Sequence, residues 1–154
     1  MSHSTHPDQI ALISLNSGID PVTVRAYLET EYQVYGAKPF TLKVGTICPA
    51  LAELHTAHAV KNSAFITACN PFSTLLDKTD NTARHTKLRE MLKHRGFVIF
   101  EGIGKHPAGD WPGEPGFLVL GIRLEAASAL GNQLEQNAII WNSDDAVSQL
   151  ILLR

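Results

Sequence analysis

Residues 97–122 read FVIFEGIGKHPAGDWPGEPGFLVLGI. Two apolar runs, Phe97 to Gly102 and Phe117 to Ile122, flank a Gly- and Pro-rich loop from Gly104 to Gly113. Both runs have the length and the β-branched and aromatic content of strands, and turn formers bound them. The second run is apolar on both faces, which places it as a covered strand in the middle of a sheet. No helix-length segment separates the two runs, so they pair as an antiparallel hairpin. Farther on, Ala138 to Trp141 and Val147 to Leu153 make a second strand pair about the turn segment Asn142 to Ala146. Two adjacent strand pairs predict an α+β fold, with a mostly antiparallel sheet of about five strands and helices packed mainly on one side.

Working toward the N-terminus, Ala64 to Asn70 reads as a further strand, stopped by Pro71. Asp80 or Asn81 caps a helix whose apolar stripe is Leu88, Met91 and Leu92, with Gly96 as its stop. Pro49 opens a short helical segment through Leu51, Leu54 and His58, and Phe40, Leu42 and Val44 alternate as in a half-buried strand. Asp20-Pro21 is a helix start, and Val24, Tyr27, Leu28, Glu31 and Tyr32 then follow helical spacing up to Gly36. Leu124 to Leu134 is an Ala- and Leu-rich helix. Residues 1–9 read as a polar tail, and Ile10 to Leu15 as a short strand or packed lead-in. No repeat or linker divides the rest, so residues 10–154 are expected to form one domain.

The composition fits this reading. The chain has 154 residues, 44% hydrophobic and 18% charged, which excludes disordered and collagen-like classes. Thirteen Lys and Arg against fifteen Asp and Glu supply no overall drive toward nucleic acid or acidic lipid. Cys48 and Cys69 make neither a disulfide framework nor a zinc set, and two buried reduced thiols are expected. No apolar run reaches the ~18 residues that span a bilayer. Met1 to Gln9 lacks the basic and apolar regions of a secretory signal, so a cytoplasmic protein with no membrane partner is expected.

Five places hold residues that carry chemistry. Asn70 and Ser73 stand at a strand end on either side of Pro71, where they form a turn or aim at a ligand beyond the strand. From Asp80 to Gly96, Arg84, Lys87, Arg89, Lys93 and Arg95 outnumber Asp80 and Glu90. Such a face attracts phosphate when it is not simply solvated. The hairpin loop is long for its kind, and long ordered loops are usually functional. Glu101 and Glu114 lie at its two mouths, with His106, Asp110 and Trp111 between them. If both carboxylates face one cleft, they supply acid–base chemistry with His106, and Trp111 stacks on a ligand. The Gly-x-Gly of this stretch follows a strand but opens no helix, so it is no dinucleotide fingerprint. Gln136-Asn137 sits at a helix-to-strand corner, where amides cap the helix or read a ligand edge. His55 and His58 share a helical face, but no Cys or acid stands at a diagnostic spacing, so no metal site is assigned.

Several of these segments occur together in a known order. SAFITACNPFS (63–73), Asn81, Arg84, Gly102-Ile-Gly104, WPGEPGFLVLGI (111–122) and QNAIIW (136–141) resemble the bacterial family called domain of unknown function 3293. The resemblance spans roughly residues 60–145. In that family a Ser commonly follows the Glu-Pro pair; here Gly116 stands in its place. The resemblance brings no assigned activity and no cofactor. It implies a site shortlist of Asn70, Ser73, Asn81, Arg84, Trp111, Glu114 and Gln136.

Two readings follow. In the first, a polar pocket binds or processes a phosphorylated small molecule, a nucleotide or a nucleic-acid end. Asn70, Ser73, Asn81, Arg84, Trp111 and Gln136 hold the ligand, and Glu114, Glu101 and His106 are the acid–base groups. In the second, the chain is a non-catalytic regulatory or protein-interaction module, and the same residues are turn formers, caps and a buried Glu–Arg pair.

Overall fold

A computed structural model describes residues 17–109 and 111–154. The expectations for residues 1–9, Ile10 to Leu15 and Asp110 lie outside these. Helix α1 (Pro21–Glu29) leads into β1 (Glu31–Val34) and β2 (Phe40–Lys43). Helix α2 (Pro49–Ala57), β3 (Ser63–Ile66), a single 3-10 turn (Pro71–Ser73) and α3 (Lys78–His94) follow. The chain then runs through β4 (Ile99–Lys105), β5 (Glu114–Leu120), α4 (Leu124–Gln133), β6 (Ala138–Asn142) and β7 (Ser148–Leu152). The fold is α+β. Its sheet has seven strands in the order β2-β1-β4-β5-β3-β6-β7, and every neighbouring pair is antiparallel. β4 and β5 pair as the hairpin expected from residues 97–122, and β5 lies at the sheet centre.

Seven strands replace the expected five or so chiefly because β1 is hidden inside a helical pattern. Helix α1 starts where Asp20-Pro21 places it, with the Asp20 carboxylate accepting from Val22 N at 2.8 Å. It ends at Glu29 instead of running to Gly36. Tyr32 and Val34 then alternate with Glu31 and Gln33, and the segment hydrogen-bonds to β2 on one side and β4 on the other. Pairing on two edges outweighs a local spacing that also suits a helix. The cap of α3 differs as well. Asp77 fills it, accepting from Asp80 N at 2.7 Å. Asp80 and Asn81 therefore fall within the first turn, which leaves the Asn81 side chain available elsewhere.

Alternation along the strands sorts the core into two layers. On one face Ala64, Ile66, Phe117, Val119 and Ile139 pack with Leu88 and Leu92 of α3 and with Ala127 and Leu130 of α4. On the other face Val34, Leu42, Phe65, Leu118, Leu120 and Ile140 pack with Leu51 of α2. Fully burying a side chain such as Phe117 contributes about 2–3 kcal/mol. The sheet curls around this second layer until its edges touch, with bridges from Val44 to Ser148 and from Ile47 to Val147. Two glycines face inward beneath Phe65. A Cβ at Gly116 would stand 2.8 Å from the Phe65 ring, and one at Gly102 would stand 2.9 Å from it. The Phe65 ring thus lies on a glycine floor and leans on Tyr32 at 5.4 Å between centroids.

Candidate functional site

The inner layer does not fill the curled sheet. Between that face and α1 lies a cavity of about 430 Å³, a size suited to a small molecule. Tyr32, Phe65, Ile140 and Leu150 form its apolar wall, and Tyr27 and Arg25 reach it from α1. Ser73, Gln136 and Asn137 line one end, and Glu114, Trp111 and His106 line another part of the rim.

Two strained turns build the polar end. After β3 the chain turns through Asn70, Phe72 and Ser73, whose φ angles are +48°, +53° and +57°. Helix α4 ends with Glu135 at φ +61°; Gln136 N donates to Gly131 O and Glu135 N to Asn132 O. This is a Schellman ending with Glu standing where Gly is usual, and it delivers Gln136 and Asn137 to the cavity. The turns are tied together by Phe72 N to Glu135 O at 2.7 Å and Gln136 Nε2 to Cys69 O at 3.1 Å. Non-glycine residues in this backbone region are costly and tend to gather at functional sites.

Glu114 brings a carboxylate to the cavity lining from the sheet. On β5 it shares the inner face with Gly116 and Leu118, opposite Gly104. Its Oε2 accepts from Asn70 Nδ2 at 2.7 Å and from Trp111 Nε1 at 3.0 Å. No protein donor meets Oε1 among the described residues. Burial pushes its pKa up, against the pull of these two hydrogen bonds. The nearby Tyr32 phenol is also pushed well up, first by burial and then by the Glu114 charge. Asn70 is itself fixed: its Oδ1 accepts from Leu76 N and Asn81 Nδ2, and its N–H donates to Asn81 Oδ1 at 2.9 Å. Because Leu76 N can only donate, the orientation of the Asn70 amide is settled, and Nδ2 must face the carboxylate.

At the polar end, Tyr27 and Ser73 share a short hydroxyl–hydroxyl contact, and Asn137 Nδ2 donates to both oxygens, at 3.0 and 3.3 Å. The Asn137 Oδ1 accepts from Arg154 Nη1 at 3.1 Å, which fixes that amide too. Gln136 is only 6% exposed. Its Nε2 donates to the carbonyls of Cys69 and Leu134, which leaves Oε1 without a protein donor among the described residues.

The other shortlisted residues are placed differently. Arg84 donates to the carbonyls of Ala68 and Leu134 and lies 3.7 Å from Glu135, so it braces the two strained turns from behind. Asn81 supports Asn70 and does not line the cavity. Glu101 is on β4 opposite Phe117, on the α3 face of the sheet, so it and Glu114 do not face one cleft. There its Oε1 meets Arg89 Nη2 at 2.8 Å and His85 Nε2 at 3.2 Å, and these hydrogen bonds hold its pKa down. His106 lines the cavity and meets Glu29 Oε1 at 3.1 Å through Nε2, clasping the hairpin loop to α1. His55 is buried against Ser63 Oγ at 2.8 Å while His58 is exposed, so the two do not converge. Cys48 and Cys69 are free and buried.

Sequence reasoning missed the α1 side of the site. Tyr27 and Tyr32 read as apolar positions of one helix, whereas they are a helix residue and a strand residue that meet across the cavity. Thr67 and Phe65, on alternate positions after Ser63, were legible as one strand face, but nothing local marks that face as lining a cavity.

Residues 66–139 match the model of the family described as Protein of unknown function (DUF3293). The match takes in both strained turns and Glu114 and stops short of α1. No curated protein and no solved structure matches the chain.

Proposed function

We propose that this protein binds a small molecule in the cavity beneath α1, with a flat ring against Phe65 and Tyr32 and an N–H group donating to Glu114. A phosphorylated ligand, such as a nucleotide or a nucleic-acid end, fits this arrangement with its ring inward and its phosphate at the rim, where Arg25 stands. One observation carries the reading. Glu114 is a partly buried carboxylate at a cavity wall, with two protein donors on one oxygen and none on the other. Both of those donors are neutral, so no cation of the protein offsets the charge of this partly buried carboxylate, in contrast to Glu101 with Arg89. Aromatic walls with a few fixed polar groups are the ordinary makeup of a ligand pocket.

In this reading Asn70, Asn81 and Arg84 build the site without touching the ligand, and Glu114 is the group placed to take or give a proton. The alternative, a protein-interaction module, draws on the same internal bonding of Asn70, Asn81 and Arg84 but leaves the open Glu114 oxygen without a role. A thermal-shift panel of nucleosides and nucleotides decides between them. Binding reading: at least one compound raises the Tm of the wild-type protein, and Glu114→Gln reduces that rise. No shift with any compound would sink it.

A further inference from the structure

Resting on that reading, we infer that the group which meets Glu114 is positively charged, so that the cavity takes a flat ring bearing an amidinium or a protonated amine. The inference starts from the charged side chains of the lining, which are Arg25, Glu29, His106 and Glu114. Glu29 and His106 pair with each other at 3.1 Å. Arg25 is exposed on α1. Of the four, only Glu114 is both partly buried and without a charged partner among the described residues. The other polar side chains of the lining, among them Thr23, Tyr27, Ser73, Gln136 and Asn137, are neutral and serve a ligand of either charge. The charge preference of the cavity therefore falls to Glu114.

The surroundings of that carboxylate are aromatic. On β4, Gly104 stands opposite Glu114 on one side and Tyr32 on the other. The Tyr32 ring covers Gly104, where an added Cβ would stand 3.3 Å from it. The Phe65 ring covers Gly116 in the same way, and Gly116 follows Glu114 on the inner face of β5. From the hairpin loop, the Trp111 indole donates to Oε2 at 3.0 Å. The missing Cβ atoms thus let two rings settle beside the carboxylate, and a third is bonded to it. An unpaired carboxylate gains nothing from such neighbours. They only take water from it, and that burial pushes its pKa up. A cation reverses the balance, because aromatic rings and a carboxylate both attract it. A neutral N–H would meet Oε1 and leave the charge without compensation. A quaternary ammonium would supply the charge and leave Oε1 without a donor. An amidinium or a protonated amine supplies both.

Benzamidine and benzamide are close in shape and differ in charge, so an NMR titration of the intact protein with each tests this. The indole N–H resonance of Trp111 reports on the site, and Trp111→Phe distinguishes it from that of Trp141. Benzamidine is expected to move this resonance to saturation. Benzamide should bind at least about tenfold more weakly, the factor that ~1.4 kcal/mol produces. The preference should vanish in Glu114→Gln and persist in Glu101→Gln, and the wild-type comparison stands by itself if a variant does not fold. If benzamide binds as tightly as benzamidine, or if the preference survives in Glu114→Gln, the assigned charge is overturned while the cavity remains a ligand site. Benzamidine that binds without moving the Trp111 resonance lies elsewhere and overturns it too. If neither compound binds but a member of the nucleotide panel raises the Tm, the charge is again overturned and the binding reading stands. Binding by nothing in either set overturns both.

Discussion

The hairpin β4–β5 carries two carboxylates, and they live in opposite electrostatic worlds. Glu101 is half exposed on the α3 face, with Arg89 and His85 on one of its oxygens, and its pKa is held down. Glu114 is on the inner face, meets only the neutral donors Asn70 and Trp111, and its pKa is pushed up by burial. The first arrangement is what a fold does with a surface charge it needs to settle. The second leaves a charge under-compensated at a cavity, which costs stability; in the proposed function a ligand completes it. The contrast also explains why the strained backbone is found beside Glu114. Asn70, in the left-handed region, is the donor that holds that carboxylate in place.

The sharpest way to break the comparison is to remove one support from each carboxylate. Asn70→Ala deletes the donor to Glu114, leaves Leu76 N and Asn81 without their acceptor, and puts Ala at a positive φ. A loss of about 3 kcal/mol is expected from such a buried network, read as a Tm lower by roughly 6–12 °C at this chain length. Arg89→Ala removes an exposed partner of Glu101 and should cost less than about 1 kcal/mol. Urea denaturation of both variants measures the difference. Equal losses would mean that the two sites are not built differently.

A smaller effect of distinctive sign is expected from Glu114→Gln. A raised folded-state pKa contributes stability that is complete below the unfolded value near 4.5 and is lost as pH rises through the folded value. The amide keeps an oxygen for Asn70 and Trp111 but never ionises. The variant should therefore be more stable than wild type at pH 7, by on the order of 1 kcal/mol or less, and close to it at pH 4. Its ligand response should be lost at the same time. A variant that is less stable at pH 7 than at pH 4, relative to wild type, would show that the carboxylate is already well compensated by the protein.

How much of this was legible in the chain differs between the two carboxylates as well. The hairpin, the central position of β5 and the second strand pair follow from apolar runs bounded by turn residues, and the structure has them. Asn70, Ser73, Trp111, Glu114 and Gln136 stood out as polar residues at strand and helix ends, and these five lie around one cavity or hold its floor. The face of Glu101 could not be read. Which side a strand residue takes depends on parity across the hairpin, and the pairing register of Glu101 with Phe117 and Glu114 with Gly104 is set by a loop whose conformation the sequence leaves open. The opposite wall of the cavity was hidden for another reason. Tyr27 and Tyr32 fit one helical stripe, and only pairing with β2 and β4 turns the second of them into a strand residue.

Glu101→Gln is the counterpart and carries the smallest expected effect. Its folded-state pKa is lowered, so its contribution is present above the unfolded value and is lost as pH falls through the folded one. The variant should be less stable than wild type at pH 7 by well under 1 kcal/mol, because the carboxylate is 52% exposed and water screens its partners. At pH 3 the gap should narrow. Added salt should shrink it further at pH 7, as expected of a surface pair at a Debye length that falls to about 3 Å in 1 M salt. Ligand response should match that of wild type, since Glu101 lies across the sheet from the cavity. A ligand response that fell in Glu101→Gln as it does in Glu114→Gln would erase the distinction, for it would mean that the two faces of the hairpin act on the ligand together.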